Sequence, residues 1–288
     1  MSYLRLVRPK QWIKQGFVFL PLISLGEQFS LGDFLLGLYA MTIFTAIAGS
    51  VYVYNDFTDI EFDRIDTIRR QRPLASGQVQ SNYAVFLALT LLIGGLILCF
   101  LVSVSPVISL GLIFVYLFTN YIYSRFRLKE SEILGIALVG FGFPLRFTFG
   151  CSFVGIEISY WAITLLMFLA LFMLSIKRFQ ISLRSALEDS NSRHEFWLIA
   201  GITFAAFFSS SYAGFVSSPA TQEVWGSTTL LISSVPVALG IVRFIQLGTD
   251  KGKINSGDVT EDVARDLPIL GLSFAYALIM LLGRMLAS

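Results

Sequence analysis

Charge is scarce in this chain. Only 14% of its 288 residues are Asp, Glu, Lys or Arg, 55% are hydrophobic, and the mean hydropathy is +0.73. That excludes an ordinary soluble domain and points to a polytopic membrane protein. Histidine is almost missing: His194 stands alone in a polar stretch, which excludes a histidine-based metal centre. Cys99 and Cys151 both fall in apolar runs, without disulfide or metal-ligand spacing, and read as small core residues. The basic N-terminus is followed by no small-residue cleavage site, so no cleavable signal peptide is expected. Net charge is only +2, and no nucleic-acid partner is expected.

What the chain has instead is apolar runs. Nine spans are expected, at 13–26, 33–54, 83–102, 106–123, 132–153, 159–178, 196–216, 228–247 and 267–286. The first is short and carries Pro21. No pattern of short alternating strands is present, so backbone satisfaction in lipid requires helices. The expected fold is an all-α polytopic membrane protein of nine transmembrane helices, in one domain over 1–288.

The connecting loops alternate in charge. One set covers 1–12, 55–82, 124–131, 179–195 and 248–266. With the adjoining helix ends it carries 19 of the 21 Lys and Arg, all but Arg146 and Arg284. The other set holds Glu27, Asp33, Glu157 and Glu223. The positive-inside rule puts the N-terminus and the basic loops in the cytoplasm of a cell (plasma) membrane protein.

The richest loop follows the second span: N-D-F-T-D-I-E-F-D-R-I-D-T-I-R-R-Q-R-P-L-A-S-G, residues 55–77. On a helix Asp56, Asp59 and Asp63 stand at i, i+3 and i+7, on one face, where like charges repel. A hard divalent cation would offset that repulsion. Mg²⁺ suits it, since Mg²⁺ takes a few carboxylates together with substrate phosphate oxygens. Arg69, Arg70 and Arg72 follow at once, and guanidinium forks match phosphate oxygens. The bland reading is a solvated acidic loop.

Other basic positions keep two readings open. Arg5, Arg8, Lys10 and Lys14, with Trp12, form either a topogenic flank or a set of phosphate ligands. In Y-S-R-F-R-L-K-E-S-E (123–132), Arg125, Arg127 and Lys129 are candidate phosphate ligands, and Glu130 and Glu132 could hold a second metal ion. Lys177 and Arg178 end a span and either snorkel or face a cytoplasmic pocket. Gly252 and Gly257 suggest a loop able to cover a substrate, or a plain linker. Arg146 lies deep in its span beside Pro144, where an arginine faces the bundle interior; a structural tie to Asn120 or a carbonyl is favoured over a cavity-lining role. The span ends V-Y-V-Y and N-Y-I-Y, each before a charged loop, give a faint internal echo.

N-D-F-T-D-I-E-F-D-R followed by Q-R-P-L-A-S-G resembles the signature of the UbiA superfamily of intramembrane prenyltransferases. R-P-K-Q-W-I-K-Q near the start, Y-S-R-F-R-L-K, L-R at 145–146, K-R-F at 177–179 and V-R-F-I-Q-L at 242–247 resemble its decaprenyl-phosphate phosphoribosyltransferase branch. The resemblance covers nearly the whole chain. It implies nine helices around a central cavity open to the cytoplasm. It also implies an enzyme that transfers 5-phosphoribosyl from phosphoribosyl pyrophosphate to a polyprenyl (decaprenyl) phosphate, with Mg²⁺, in cell-wall synthesis.

On that resemblance Asp56, Asp59 and Asp63 are the catalytic metal ligands, assisted by Asn55. Arg70, Arg72, Tyr123, Lys129, Lys177 and Arg178 contact donor or acceptor phosphates, and Arg8, Lys10 and Lys14 meet the lipid phosphate. The sequence departs from the branch at Gln15, where Asn is usual, and at Gly135, where an acid is usual; this leaves one or two metal ions open. A prenyltransferase moving a polyprenyl group from its diphosphate to an aromatic acceptor is the alternative. A transporter is disfavoured, because its ion site would lie at the midplane. A homo-oligomer is compatible with the pattern.

Overall fold

The computed structural model describes residues 2–67, 69–126, 128, 131–185, 194–249, 263 and 265–287. Among these residues there are helices and turns and no strand. Eight helices are long and apolar enough to cross a membrane, and the chain is an integral membrane protein. The helices in chain order are α1 (Ser2–Leu6), α2 (Gly16–Phe19), α3 (Leu31–Thr58), α4 (Ile60–Ile65), α5 (Ser81–Val102), α6 (Pro106–Arg125), α7 (Glu132–Val154), α8 (Tyr160–Ser185), α9 (His194–Ser217), α10 (Pro219–Trp225), α11 (Ser227–Thr249) and α12 (Leu267–Ala287). His194 therefore opens α9 rather than lying in a loop.

Eight of the nine expected spans correspond to these long helices. The ninth, 13–26, is irregular: Pro9–Gln15 and Leu20–Gln28 are 3-10 helix, and only Gly16–Phe19 between them is α-helical. Pro21 supplies no N–H, which removes an α-type bond there. A 3-10 residue rises about 2.0 Å and an α residue about 1.5 Å, so the contour of 9–28 is roughly 38 Å, comparable with a ~30 Å hydrocarbon core.

The chain divides into two compact units, 1–158 and 159–288. In the first, α3 is the central element. Ser30 starts it with a reciprocal cap: the Ser30 hydroxyl accepts from the Asp33 N–H, and the Asp33 carboxylate accepts from the Ser30 N–H at 2.9 Å. Its apolar side packs Phe44 and Ile47 against Ile113, Tyr116, Phe149 and Phe153 of α6 and α7. Small residues set the close approaches: a Cβ on Gly150 of α7 would collide with the Val18 carbonyl. A second cluster, Leu6, Val53, Leu74, Val79 and Ala84, lies beneath the loop that follows α4. Leu6 comes from α1 and Leu74 from the loop, so this cluster draws the chain around residue 8 and the chain around residue 72 toward the same end of α3.

In the second unit Phe172 and Ile176 of α8 pack with Ala205 and Phe244. Gly201 and Gly248 each face Ile176, letting α9 and α11 lie close to α8. Arg243 makes a two-point pair with Asp266 (Nε to Oδ1 3.1 Å, Nη2 to Oδ2 2.7 Å), and Asp266 accepts from the Ile269 N–H at the start of α12. A structural tie therefore accounts for the arginine of V-R-F-I-Q-L.

Candidate active site

The acidic stretch keeps a helical trend but not one straight helix. α3 continues through Asn55 and Asp56 to Thr58; Asp59 then turns to φ −98°, ψ 1°, and α4 begins. The turn is a kink, because Asp59 N–H still donates to the Asn55 carbonyl (3.1 Å) and Asp63 N–H to the Asp59 carbonyl (2.8 Å). The expectation of three carboxylates on a continuous face is corrected here. Stacked carboxylates on a straight helix repel, and the chain bends at the middle one. Among the described residues no three Asp, Glu, His or Cys side chains gather closely enough to hold one ion.

Two of the acids do converge. Asp56 and Asp63 are 3% and 1% exposed, and Arg72 bridges them through a single nitrogen, Nη1 to Asp56 Oδ1 at 3.2 Å and to Asp63 Oδ2 at 2.8 Å. Arg8 donates from Nη2 to the same Asp56 Oδ1 and lies over the Tyr52 ring, 5.5 Å from its centroid. The charge repulsion expected from the sequence is thus offset by guanidinium groups. Burial raises the Asp63 carboxyl above the usual carboxylate range; Arg72 pulls it back down, while Asp56 and Asp59 push it up.

Local chain geometry fixes both arginines. R-P-L-A-S-G folds as a tight turn: Ser76 N–H and hydroxyl both donate to the Arg72 carbonyl, Gly77 adopts φ +74°, and Pro73 and Leu74 are buried. That turn presents Arg72 to the acids. Arg8 has φ 47°, ψ 69° in the left-handed region, a conformation costing a Cβ-bearing residue about 1–2 kcal/mol. Such a residue persists only where surrounding contacts hold it.

Asn55 is oriented by a residue the sequence reading did not single out. The Ser124 hydroxyl donates to Asn55 Oδ1 at 2.6 Å, joining the ends of α3 and α6. Nothing in a lone serine at position 124 signals this; the echo between the two span ends, whose Tyr54 and Tyr121 rings lie 6.4 Å apart, was the only hint.

The remaining candidates differ in exposure and in the unit they belong to. Arg70 and Lys10 are exposed, and Lys14 and Tyr123 are half-buried. Lys177 and Arg178 belong to the second unit, half-buried in α8. Lys129, with Arg127, Glu130 and the 250–262 loop holding Gly252 and Gly257, lies outside the described residues, as does the side chain of Glu132. Arg146 takes the structural role favoured for it, with a carbonyl as expected but without Asn120: Nη1 donates to the Gly142 carbonyl (2.6 Å), Nε to Gln15 Oε1 (2.9 Å), and the Phe44 and Tyr116 rings flank it.

The donor set suits Mg²⁺, which binds through one or two carboxylates plus phosphate oxygens and water. Asp63 Oδ1 is buried and accepts from no protein donor.

A sequence model of the UbiA prenyltransferase family matches residues 17–255. The chain belongs to this family. It is a membrane transferase. A decaprenyl-phosphate phosphoribosyltransferase of Corynebacterium glutamicum is 27% identical over 96% of this chain and 85% of its own length. One from Mycolicibacterium smegmatis is 32% identical over 61% of this chain, a match spanning 55% of that relative. A UbiA homologue from Archaeoglobus fulgidus, solved with GPP and Mg²⁺, has the same fold (TM-score 0.65, 19% identity, 98% of both chains). A digeranylgeranylglyceryl phosphate synthase structure agrees (TM-score 0.63, 19% identity, 99% of this chain and 95% of the other).

Proposed function

We propose that this UbiA-family transferase moves the 5-phosphoribosyl group of phosphoribosyl pyrophosphate onto a polyprenyl phosphate and releases pyrophosphate. The observation that carries the reading is the alignment with the C. glutamicum phosphoribosyltransferase, which runs almost end to end. The site's chemistry supports it. Breaking the bond between the anomeric carbon and the pyrophosphate oxygen leaves the electron pair on pyrophosphate, so negative charge grows there. Arg8 and Arg72 stand over the acids with guanidinium N–H groups suited to those oxygens. Mg²⁺, when bound at Asp56 and Asp63, supplies charge that stabilises the leaving pyrophosphate. Asn55, oriented by Ser124, offers its amide N–H₂ to a substrate oxygen. The acceptor phosphate is already an anion and attacks the anomeric carbon without a strong base. Lys10, Lys14, Lys177 and Arg178 remain candidate phosphate ligands on sequence grounds. In this reading residues 1–288 act as one catalytic domain, with the site and the N-terminus at the cytoplasmic face.

A second reading is favoured by the solved neighbour that holds GPP, a prenyl diphosphate: the diphosphate belongs to the prenyl donor, and an aromatic ring accepts. One experiment separates the two. Purified protein in nanodiscs with Mg²⁺ is given radiolabelled phosphoribosyl pyrophosphate and decaprenyl phosphate, and label entering the lipid phase is followed with and without EDTA. EDTA-sensitive transfer that is lost in Asp63→Ala is expected. No transfer, with pyrophosphate released instead from a polyprenyl diphosphate and an aromatic acceptor, would replace the first reading by the second.

A further inference from the structure

We infer that Arg8 and Arg72 are exchangeable counter-ions: they hold Asp56 and Asp63 before donor and metal arrive, then pass to diphosphate oxygens as the carboxylates pass to the metal. This rests on the Mg²⁺-diphosphate reading above and adds an order of events and a regulation of the site. Three observations carry it.

The arginines lie on the open side of the acids. Arg8 and Arg72 side chains are 31% and 29% exposed, while Asp56 and Asp63 are 3% and 1%. An ion coming from water meets guanidinium groups first.

Both arginines are under-used where they stand. Arg72 spends one nitrogen on both carboxylates, and Arg8 spends one on Asp56. Among the described residues their other side-chain nitrogens donate to no protein acceptor. A guanidinium carries five donors in a fork that fits two phosphate oxygens. The better partner for each is therefore the diphosphate, while Asp63 Oδ1, buried and unpartnered, is better served by a metal.

Charge balance decides the order. The two buried carboxylates and two guanidinium groups sum to zero, with the Asp59 carboxylate alongside. A divalent cation alone would add two positive charges to a poorly solvated site. A diphosphate supplies negative charge against them, so the two are taken up together and each strengthens the other. The wild-type protein accordingly binds metal weakly until a diphosphate is present, which keeps the acids from being filled unproductively.

The test measures metal uptake without turnover. Full-length protein in phosphatidylcholine nanodiscs is titrated with Mn²⁺, free Mn²⁺ is read by electron paramagnetic resonance, and no donor is added. Arg72→Gln is expected to tighten Mn²⁺ binding at least about tenfold, equivalent to ~1.4 kcal/mol. Arg8→Gln shifts the same way by less, since Asp56 keeps Arg72. Arg69→Gln removes the same charge from the same loop but touches neither buried acid; its partner is Asp66. It should change binding by less than about twofold, as a screened surface charge. Should Arg72→Gln not stay folded on size exclusion, Arg8→Gln against Arg69→Gln carries the comparison. Equal or weaker Mn²⁺ binding in the Arg8 and Arg72 variants overturns the exchange. Retention of ³²P-pyrophosphate on the nanodiscs, measured in parallel with and without Mn²⁺, distinguishes the failures. Mn²⁺-dependent retention in wild type leaves the metal-diphosphate reading standing without the exchange; absence of retention removes both.

Discussion

Asp63 combines near-complete burial, one bond to Arg72 and one unpartnered oxygen, so under the proposed function its protonation would compete directly with metal. Its carboxyl is raised by burial. On the proposed reading, lowering the pH through that raised value adds a proton where the metal would bind. The Mg²⁺ concentration giving half-maximal turnover should therefore rise as the pH is lowered. Asp63→Asn should lower turnover about 100-fold or more, as loss of a charged group in a preorganised site does, and its residual activity should lack this Mg²⁺–pH coupling. A wild-type Mg²⁺ requirement independent of pH would show that Asp63 is not a ligand. Ser124 allows a finer test at the same scale. Ser124→Ala removes the donor that orients Asn55 at the cost of about 1 kcal/mol. The expected result is a several-fold higher KM for the donor with a midpoint of thermal unfolding lowered by no more than a few degrees. Neither bond is legible from one sequence. Asn55 and Ser124 are 69 residues apart and Arg8 and Asp56 are 48 apart, and no local period encodes such pairs. The residues that were legible, Asn55, Asp56, Asp63 and Arg72, lie in one short segment whose types and spacing carry the chemistry themselves.

At the scale of elements, the N-terminal segment 9–28 is the part whose local geometry sequence periodicity did not give: it is 3-10 helix on either side of one α-helical turn. Its apolar content reads as a span, and it runs from Arg8, beside Asp56 at one end of α3, to Ser30 at the other; Pro21 and the 3-10 geometry make this span an irregular strap fastened to α7. Three contacts hold it: Gln15 on Arg146, Phe17 edge-on to Phe143 at 5.0 Å, and the Val18 carbonyl against Gly150. Arg8 enters the strap, so its fastening determines where Arg8 can reach. Gly150→Val would drive a side chain into backbone rather than into a movable side chain. A destabilisation of about 1–3 kcal/mol is expected, with loss of turnover beyond what partial unfolding explains. Gly111→Ala, where a Cβ meets nothing within 4 Å, should be neutral or slightly stabilising. Thermal unfolding in detergent, read by tryptophan fluorescence, compares the two; equal midpoints would show that the strap does not depend on this contact. Gln15 itself is fully buried, with its amide nitrogen unpartnered and its oxygen on Arg146. The departure from the branch pattern at position 15 thus falls on a structural tie rather than on a phosphate ligand.

For the whole molecule the open question is which way it sits in the membrane, and the two kinds of signal can be tested separately. Three membrane-crossing helices, α5, α6 and α7, separate Gln80 from Glu157. An odd number of crossings puts these two residues on opposite faces whatever the orientation. The charge asymmetry of the loops then assigns faces: Gln80 ends the arginine-rich loop, and Glu157 belongs to the loops with almost no Lys or Arg. Both side chains are exposed, and the native thiols, Cys99 and Cys151, are wholly buried and should not react. Gln80→Cys and Glu157→Cys can therefore be probed one at a time against a silent background with a membrane-impermeant maleimide. Glu157→Cys should label in intact spheroplasts and Gln80→Cys only in inverted vesicles. Labelling of both from one side would contradict the number of crossings in the fold. The reverse pattern would keep the fold but turn the acidic site away from the cytoplasm, against the placement that the proposed function requires. The function proposed for the site therefore depends on loop charge as well as on Asp56 and Asp63.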